Sequence, residues 1–291
     1  MRTEKEIMEL ILNTAQNDDR VRAVYMNGSR TNPKAPKDVF QDYDIVYVVS
    51  ETASFIADED WPSRLGEILI MQYPDESPFC PNDKEHSYGW LMIFTDGNRI
   101  DLTVKTVDAA LTDVVSDSLC QILLDKDNIL PQIPESSDII RHVKKPTEKE
   151  YFAVCNEYWW CLTYIAKGLW RKEVTYAQDI MNRIVRKQLE KMLTWKVGLL
   201  TDHSVSVGKS GKYLHKWLSE SEWKAYLDTY SNADIDSMWK AVDKMNSLFI
   251  DAAKYVAEGN GLIFNQKEAD NSLYFIGKVR VLPETATDHI L

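Results

Sequence analysis

The spacing of apolar residues changes along this chain and separates it into two parts. In the first part, short apolar and β-branched runs predict strands over residues 21–26, 43–49, 90–94 and 99–105. The sequence Asp96-Gly97-Asn98 between the last two runs is typical of a β-hairpin turn. A further short strand is expected to end in a turn near residues 123–127. Helical spacing predicts helices near the start of the chain and over residues 61–71 and 108–118.

From Pro146 onward the pattern predicts helices and no strand. Helices are expected over residues 151–172, 175–200, 212–218, 220–227, 234–257 and 268–279. Capping boxes mark the starts of several predicted helices: Thr3 with Glu6, Thr147 with Glu150, and Ser219 with Glu222. The chain therefore splits near residue 145 into an N-terminal part with strands and helices and a C-terminal helical bundle.

The composition is that of a globular protein with an acidic surface. The 291 residues are 44% hydrophobic and 27% charged, and the formal net charge is −11. This charge argues against nonspecific binding of DNA or RNA, whose phosphates repel an acidic protein. A cationic small molecule is a better match for such a surface.

Neither a secretion signal nor a membrane span is expected from the sequence. The N-terminus is charged and lacks the apolar core of a signal peptide, and no run approaches the ~20 apolar residues of a membrane helix. The cysteines lack metal-binding spacing and are expected to be reduced thiols: Cys80, Cys120, Cys155 and Cys161. We therefore expect a cytoplasmic protein that does not associate with membranes.

The most informative residues are a glycine–serine turn and three aspartates. Gly28-Ser29 follows a predicted strand, where backbone N–H groups and a hydroxyl can bind a phosphate. Asp42 and Asp44 precede an apolar strand and point to the same face because strand side chains alternate. Asp101 lies on the polar face of the strand after the hairpin, where it could sit beside them. Clustered carboxylates favour a hard divalent cation such as Mg²⁺, which predicts phosphoryl chemistry.

These motifs resemble those of the aminoglycoside 6-adenylyltransferases, also called streptomycin adenylyltransferases. That family belongs to the nucleotidyltransferase superfamily with the DNA polymerase β-like fold. The resemblance covers nearly the whole chain and is carried by residues 26–30, 32–33, 40–45, 96–103, 124–127 and 207–214. It implies an α+β fold, with a nucleotidyltransferase domain of mixed sheet and helices over residues 1–145. An α-helical domain over residues 146–291 is expected to close on substrate and nucleotide.

The resemblance also implies a reaction and roles for the motif residues. AMP would be transferred from ATP to a hydroxyl of an aminoglycoside such as streptomycin, with Mg²⁺ as cofactor and pyrophosphate as product. Asp42 and Asp44 would hold Mg²⁺, and Ser29 with the backbone of Gly28 would bind the β- and γ-phosphates. Asp101 would ligate a metal, act as general base for the acceptor hydroxyl, or do both.

Three basic residues are further candidates for the nucleotide site. Arg30 either pairs with the triphosphate or forms a surface salt bridge. Gly208-Lys209-Ser210 is not a P-loop, because His203 stands five positions before Gly208 where that motif has glycine. Lys209 or Lys212 either reaches an ATP phosphate from the second domain or is a solvated surface lysine.

Two other functions are compatible with the sequence. The same chemistry could serve another acceptor, such as a different antibiotic, a small metabolite or a protein hydroxyl. The fold could also bind nucleotide without catalysis, although the intact set Asp42, Asp44 and Asp101 argues against this. The sequence is compatible with a monomer or a homodimer.

Overall fold

The computed structural model describes residues 1–79 and 82–288 and contains two compact units. The first unit is Met1–Ile140 and the second is Arg141–Leu291. The predicted domain boundary between residues 145 and 146 stays a prediction. Cys80 lies outside the described residues, whereas Cys120, Cys155 and Cys161 are buried free thiols.

The described part of the first unit is built on a six-stranded mixed sheet. Its strands are β1 (Val21–Asn27), β2 (Tyr43–Val49), β3 (Ile68–Gln72), β4 (Ser87–Phe94), β5 (Arg99–Thr106) and β6 (Cys120–Asp125). They lie in the order β3-β4-β5-β2-β1-β6. β2 and β5 run parallel at the centre, and the other neighbouring strands run antiparallel.

Each face of this sheet buries its own apolar cluster. Helices α1 (Glu4–Gln16), α2 (Ala53–Ile56) and α3 (Val107–Ser116) belong to the same unit. On one face, α1 packs against alternate residues of β2 and β5, including Ile45 and Leu102. On the other face, Val46 and Val48 of β2 pack with residues of α3. A central strand buried on both faces explains the nearly continuous apolar run of residues 43–49.

The predicted helix over residues 61–71 is wrong. Only Trp61–Leu65 is helical, as a short 3₁₀ turn, and Ile68–Gln72 forms edge strand β3. β3 pairs with β4, so Met71 lies opposite Met92 in the ladder. Pairing with a strand that is distant in sequence overrides the local helical spacing, which is a weak signal over such a short apolar run.

The described part of the second unit is helical, as the sequence predicts. Its α-helices are α4 (Glu148–Trp170), α5 (Val174–Ile180), α6 (Arg186–Leu200), α7 (Glu220–Leu227), α8 (Ile235–Asn260) and α9 (Gln266–Val281). A π-helical turn, Met181–Val185, joins α5 to α6. The core of this unit includes Tyr158 of α4 stacked on Phe249 of α8, with ring centroids 3.6 Å apart. Together with the mixed sheet, this bundle confirms the predicted α+β class.

The predicted signals for helix starts are confirmed in both units, whereas one predicted helix of the second unit does not form. Each predicted capping box forms, with reciprocal side-chain and backbone hydrogen bonds at Thr3, Thr147 and Ser219. The predicted helix over residues 212–218 is wrong, because the segment contains only a 3₁₀ turn at Leu214–Lys216. Within the segment, Tyr213 (φ −107°, ψ 5°) and Trp217 (φ −123°, ψ −27°) depart from α-helical backbone angles.

No helix within the described residues has both the length and the apolar character needed to cross a bilayer.

Candidate active site

The central parallel strand pair brings the predicted acidic residues together. Asp42 comes just before β2, Asp44 is its second residue, and Asp101 is the third residue of β5. In the ladder, Asp44 lies directly opposite Asp101. The sequence placed Asp101 on a polar strand face, and the register of β2 against β5 places it beside Asp44.

One carboxylate oxygen from each of Asp42, Asp44 and Asp101 lies within 4.8 Å of the others. All three residues are half-buried, so their mutual repulsion is only partly screened by water. Oxygen donors at this spacing suit a hard divalent cation. In proteins, Mg²⁺ is typically bound by one or two carboxylates together with phosphate oxygens. The donor set therefore fits the metal that the sequence predicts.

Gly28 holds the glycine–serine turn tightly against this acidic cluster. Its backbone has φ 80° and ψ −153°, a region that is accessible essentially only to glycine. A Cβ atom at this position would lie 1.9 Å from Oδ2 of Asp44. Residue 28 therefore lets the Asp44 carboxylate approach the backbone of the turn closely.

Ser29 begins a short 3₁₀ turn immediately after Gly28. Its hydroxyl lies 3.5 Å from the side-chain nitrogen of Gln41, a long contact at the limit of a hydrogen bond. Thr31 closes the turn by donating its hydroxyl to the carbonyl of Gly28 at 2.9 Å. The turn is thus fixed beside Asp44, and the predicted role of Ser29 in phosphate binding stays a prediction.

Arg30 is held by the protein rather than directed into solvent. Its guanidinium donates to the carbonyls of Gln41 and Asp42, each at 2.9 Å, and lies 3.6 Å from the centre of the Tyr43 ring. An ion pair with Glu4 at 3.6 Å completes the set. Arg30 therefore ties the segment before β2 to the glycine–serine turn, and its predicted contact with a triphosphate stays a prediction.

Arg99 is a site residue to which the sequence analysis gave no role. Its Nε and Nη2 donate to the two carboxylate oxygens of Asp101, both at 2.7 Å, and its Nε lies 3.8 Å from Asp42. The pairing with Asp101 raises the pKa of Arg99, and the charges of Asp42 and Asp44 contribute in the same direction. The signal was present in the sequence, since residues 99 and 101 share one strand face.

Lys209 and Lys212 belong to the second unit and are both exposed. Lys209 opens a 3₁₀ turn that follows Gly208, and the Lys212 ammonium lies 5.1 Å from the ring centre of Tyr213. Their predicted role in phosphate binding stays a prediction.

Comparison with known proteins provides evidence on the family to which this chain belongs. The sequence model of the family described as streptomycin adenylyltransferase matches residues 1–279. The chain is 38% identical over 257 residues to an aminoglycoside 6-adenylyltransferase of Campylobacter jejuni, covering 88% of this chain and 89% of that protein. It is 37% identical over 260 residues to the Bacillus subtilis (strain 168) protein of the same name, covering 89% and 92%.

A third relative and a solved structure complete the comparison. An aminoglycoside 6-adenylyltransferase of Staphylococcus aureus is 39% identical over 235 residues, covering 79% of this chain and 82% of that protein. A crystal structure of an aminoglycoside 6-adenyltransferase from Bacillus subtilis is 31% identical, with a TM-score of 0.48, and the match covers 97% of this chain and 100% of that one. With the family match over residues 1–279, these identities confirm the predicted family. The chain therefore belongs to the streptomycin adenylyltransferase family of nucleotidyltransferases.

Proposed function

We propose that this protein transfers AMP from ATP to a hydroxyl group of an aminoglycoside, with Mg²⁺ as cofactor and pyrophosphate as leaving group. Streptomycin is the acceptor that we favour. The observation that carries the proposal is the convergence of Asp42, Asp44 and Asp101 beside the Gly28 turn. The names of the relatives support an aminoglycoside as acceptor.

Asp42 and Asp44 would hold the metal, together with Asp101 if that residue is also a ligand. When bound, Mg²⁺ supplies positive charge that neutralises the phosphate oxygens and the developing charge of the leaving group. Gly28 presents its backbone at the same place as Asp44, so a phosphate bound by the turn lies next to the carboxylates. Binding and orientation of the triphosphate are thus the main contribution of these residues.

Asp101 can serve as general base or as metal ligand, and a measurement of metal affinity distinguishes these two roles. As general base, an Asp101 oxygen takes the proton of the acceptor hydroxyl while the oxygen of that hydroxyl attacks the α-phosphorus. As metal ligand, it contributes to the affinity for the cation. If Asp101→Asn abolishes turnover and leaves Mn²⁺ affinity unchanged, the residue is the base; a large loss of Mn²⁺ affinity makes it a ligand.

Charged residues determine the remaining parts of the proposal, which are the contacts with the triphosphate and the charge of the acceptor. We assign contacts with the triphosphate to Arg30, Lys209 and Lys212, since guanidinium and ammonium groups pair with phosphate. The formal net charge of −11 attracts a cationic acceptor and disfavours nucleic acid. We propose a cytoplasmic enzyme, active as a monomer or homodimer.

The proposal is tested by incubating the protein with labelled ATP, Mg²⁺ and a panel of aminoglycosides. We expect pyrophosphate release and a labelled product with streptomycin. Asp42→Asn should lower turnover by at least about 10²-fold because it removes a charge at the metal site. Asp127→Asn is the matched control, since Asp127 pairs with Arg22 near the start of β1, whereas Gly28 follows the end of that strand.

Three results would contradict this proposal. Turnover with lincosamides or protein hydroxyls, but with no aminoglycoside, would refute the acceptor class. Equal activity of Asp42→Asn and wild type would refute the metal site. Nucleotide binding without turnover on any acceptor in the panel would favour the non-catalytic alternative.

A further inference from the structure

Arg99 lies inside the acidic cluster and occupies oxygens that a metal would need. It stands two residues before Asp101 on β5, so both side chains lie on the same face. Its planar guanidinium makes the bidentate contact with Asp101, and both bonds are 2.7 Å long. Such paired, charge-assisted bonds are among the strongest that a carboxylate makes.

The charges at the site require a cation even when no metal is bound. Three carboxylates whose oxygens lie within 4.8 Å of one another repel strongly. Arg99 offsets part of this repulsion, because it reaches Asp101 directly and its Nε is 3.8 Å from Asp42.

We propose that Arg99 is a resident counter-ion that holds the cluster in the metal-free protein and that the divalent cation must displace from Asp101. This inference rests on the metal site proposed above, with Asp101 as one of its ligands. A guanidinium and a metal ion cannot use the same lone pairs of Asp101 at once. Arg99 therefore weakens metal binding to the free enzyme and keeps Asp101 in position until the metal arrives.

The surroundings of Arg99 allow this displacement. Its side chain is 43% exposed, so the guanidinium can swing into water without leaving a buried cavity. Arg30, the other arginine at the site, differs in this respect. It is only 13% exposed and is held by two backbone carbonyls and the Tyr43 ring. Arg30 is therefore a fixed part of the turn, whereas the guanidinium of Arg99 is able to move away from Asp101.

The test is the affinity of the free protein for Mn²⁺, measured by electron paramagnetic resonance without nucleotide. Arg99→Gln removes a positive charge a few ångströms from the cation, which should tighten Mn²⁺ binding on the order of 10-fold. Arg99→Lys keeps the charge and should stay within about 3-fold of wild type. Arg22→Gln is the matched control, because Arg22 makes a similar bidentate pair with Asp127 away from the cluster.

A second measurement follows the response of the wild-type protein to Mg²⁺, and a variant is used only to assign one signal. The hydrogen-bonded Nε–H of Arg99 gives a nuclear magnetic resonance signal, which is assigned by its loss in Arg99→Lys. Saturating Mg²⁺ should move this signal toward that of a free arginine, while the Arg22 signal stays in place. An unmoved Arg99 signal would overturn the proposal, as would Mn²⁺ binding in Arg99→Gln that is unchanged or weaker.

These outcomes are distinct from failure of the proposed function. Neither measurement uses an acceptor, so a wrong acceptor leaves both results intact. If Asp42→Asn binds Mn²⁺ as wild type does, the metal site itself is misplaced. If Asp42→Asn loses Mn²⁺ while Arg99→Gln does not gain affinity, only the counter-ion role is refuted.

Discussion

Replacing Gly28 by alanine tests whether the turn positions the Asp44 carboxylate. The added Cβ would lie 1.9 Å from Oδ2 of Asp44, whereas ordinary contact begins at 3.4 Å. The carboxylate must therefore shift by about 1.5 Å, and a displacement of about 1 Å in a reacting group can lower turnover on the order of 10²-fold. Backbone strain in this glycine-only conformation adds a loss of about 1–3 kcal/mol in the free energy of unfolding.

Three measurements separate the two effects of Gly28→Ala. Urea denaturation gives the free energy of unfolding, Mn²⁺ titration reports the carboxylate cluster, and AMP transfer reports turnover. Gly97→Ala is the matched control, since Gly97 also has positive φ (83°) and the nearest atom to its added Cβ is 3.5 Å away. We expect Gly97→Ala to lose about 1–2 kcal/mol of stability and to keep full activity.

The result that would refute this reasoning is a Gly28→Ala protein with the turnover and Mn²⁺ affinity of Gly97→Ala. The close approach of the turn would then have no role in placing Asp44. A Gly28→Ala protein that is folded, weak in Mn²⁺ binding and at least about 10²-fold slower would support it.

Two further predictions concern stability. Asp18 accepts hydrogen bonds from Arg20 and Trp61, which hold its pKa well below the usual range, so Asp18→Asn should cost about 1.5–3 kcal/mol at pH 7 in urea denaturation. Because the folded pKa is lowered, this stabilisation is complete above the unfolded pKa of about 4 and declines as pH falls from there toward the lowered folded pKa, so the difference between the two proteins should narrow in acid. Arg186 is buried and donates to the hydroxyl and carbonyl of Thr229, so Arg186→Lys should cost about 1–3 kcal/mol because lysine cannot reproduce the guanidinium fork.

Exposed residues with similar contacts provide the controls for these predictions. Asp127→Asn removes an exposed carboxylate–arginine pair that water screens, so it should change stability little at either pH. Arg183→Lys alters an arginine whose side chain is 78% exposed and should change stability by at most about 0.5 kcal/mol. If Asp18→Asn and wild type differ equally at pH 7 and in acid, the ionised carboxylate is not the source of the stabilisation. An Arg186→Lys protein as stable as Arg183→Lys would refute the role of the buried guanidinium.

Local signals in the sequence were sufficient where neighbouring residues decide the structure. The capping boxes at Thr147 and Ser219 form because the side chain and the backbone that it caps are three residues apart. The hairpin between β4 and β5 forms for the same reason, since Gly97 supplies the positive φ of its turn. The alternation of β5 put Asp101 on a polar face.

Contacts between distant residues decided the rest of the fold. β3 is a strand because β4 offers an edge to pair with, and no local pattern in residues 68–72 contains that partner. Residues 212–218 do not form an α-helix because Tyr213 and Trp217 take backbone angles that the spacing of apolar residues does not encode.

The sequence by itself determined the chemistry of the site: three carboxylates, a glycine–serine turn and the strands that carry them. The tertiary structure alone decided how these groups meet, because the parallel register of β2 and β5 sets Asp44 opposite Asp101. The same is true of the contact between Gly28 and Asp44 and of the reach of Arg99 toward Asp42. Side-chain alternation fixes a direction from each strand, whereas distances between strands depend on pairing across the whole sheet.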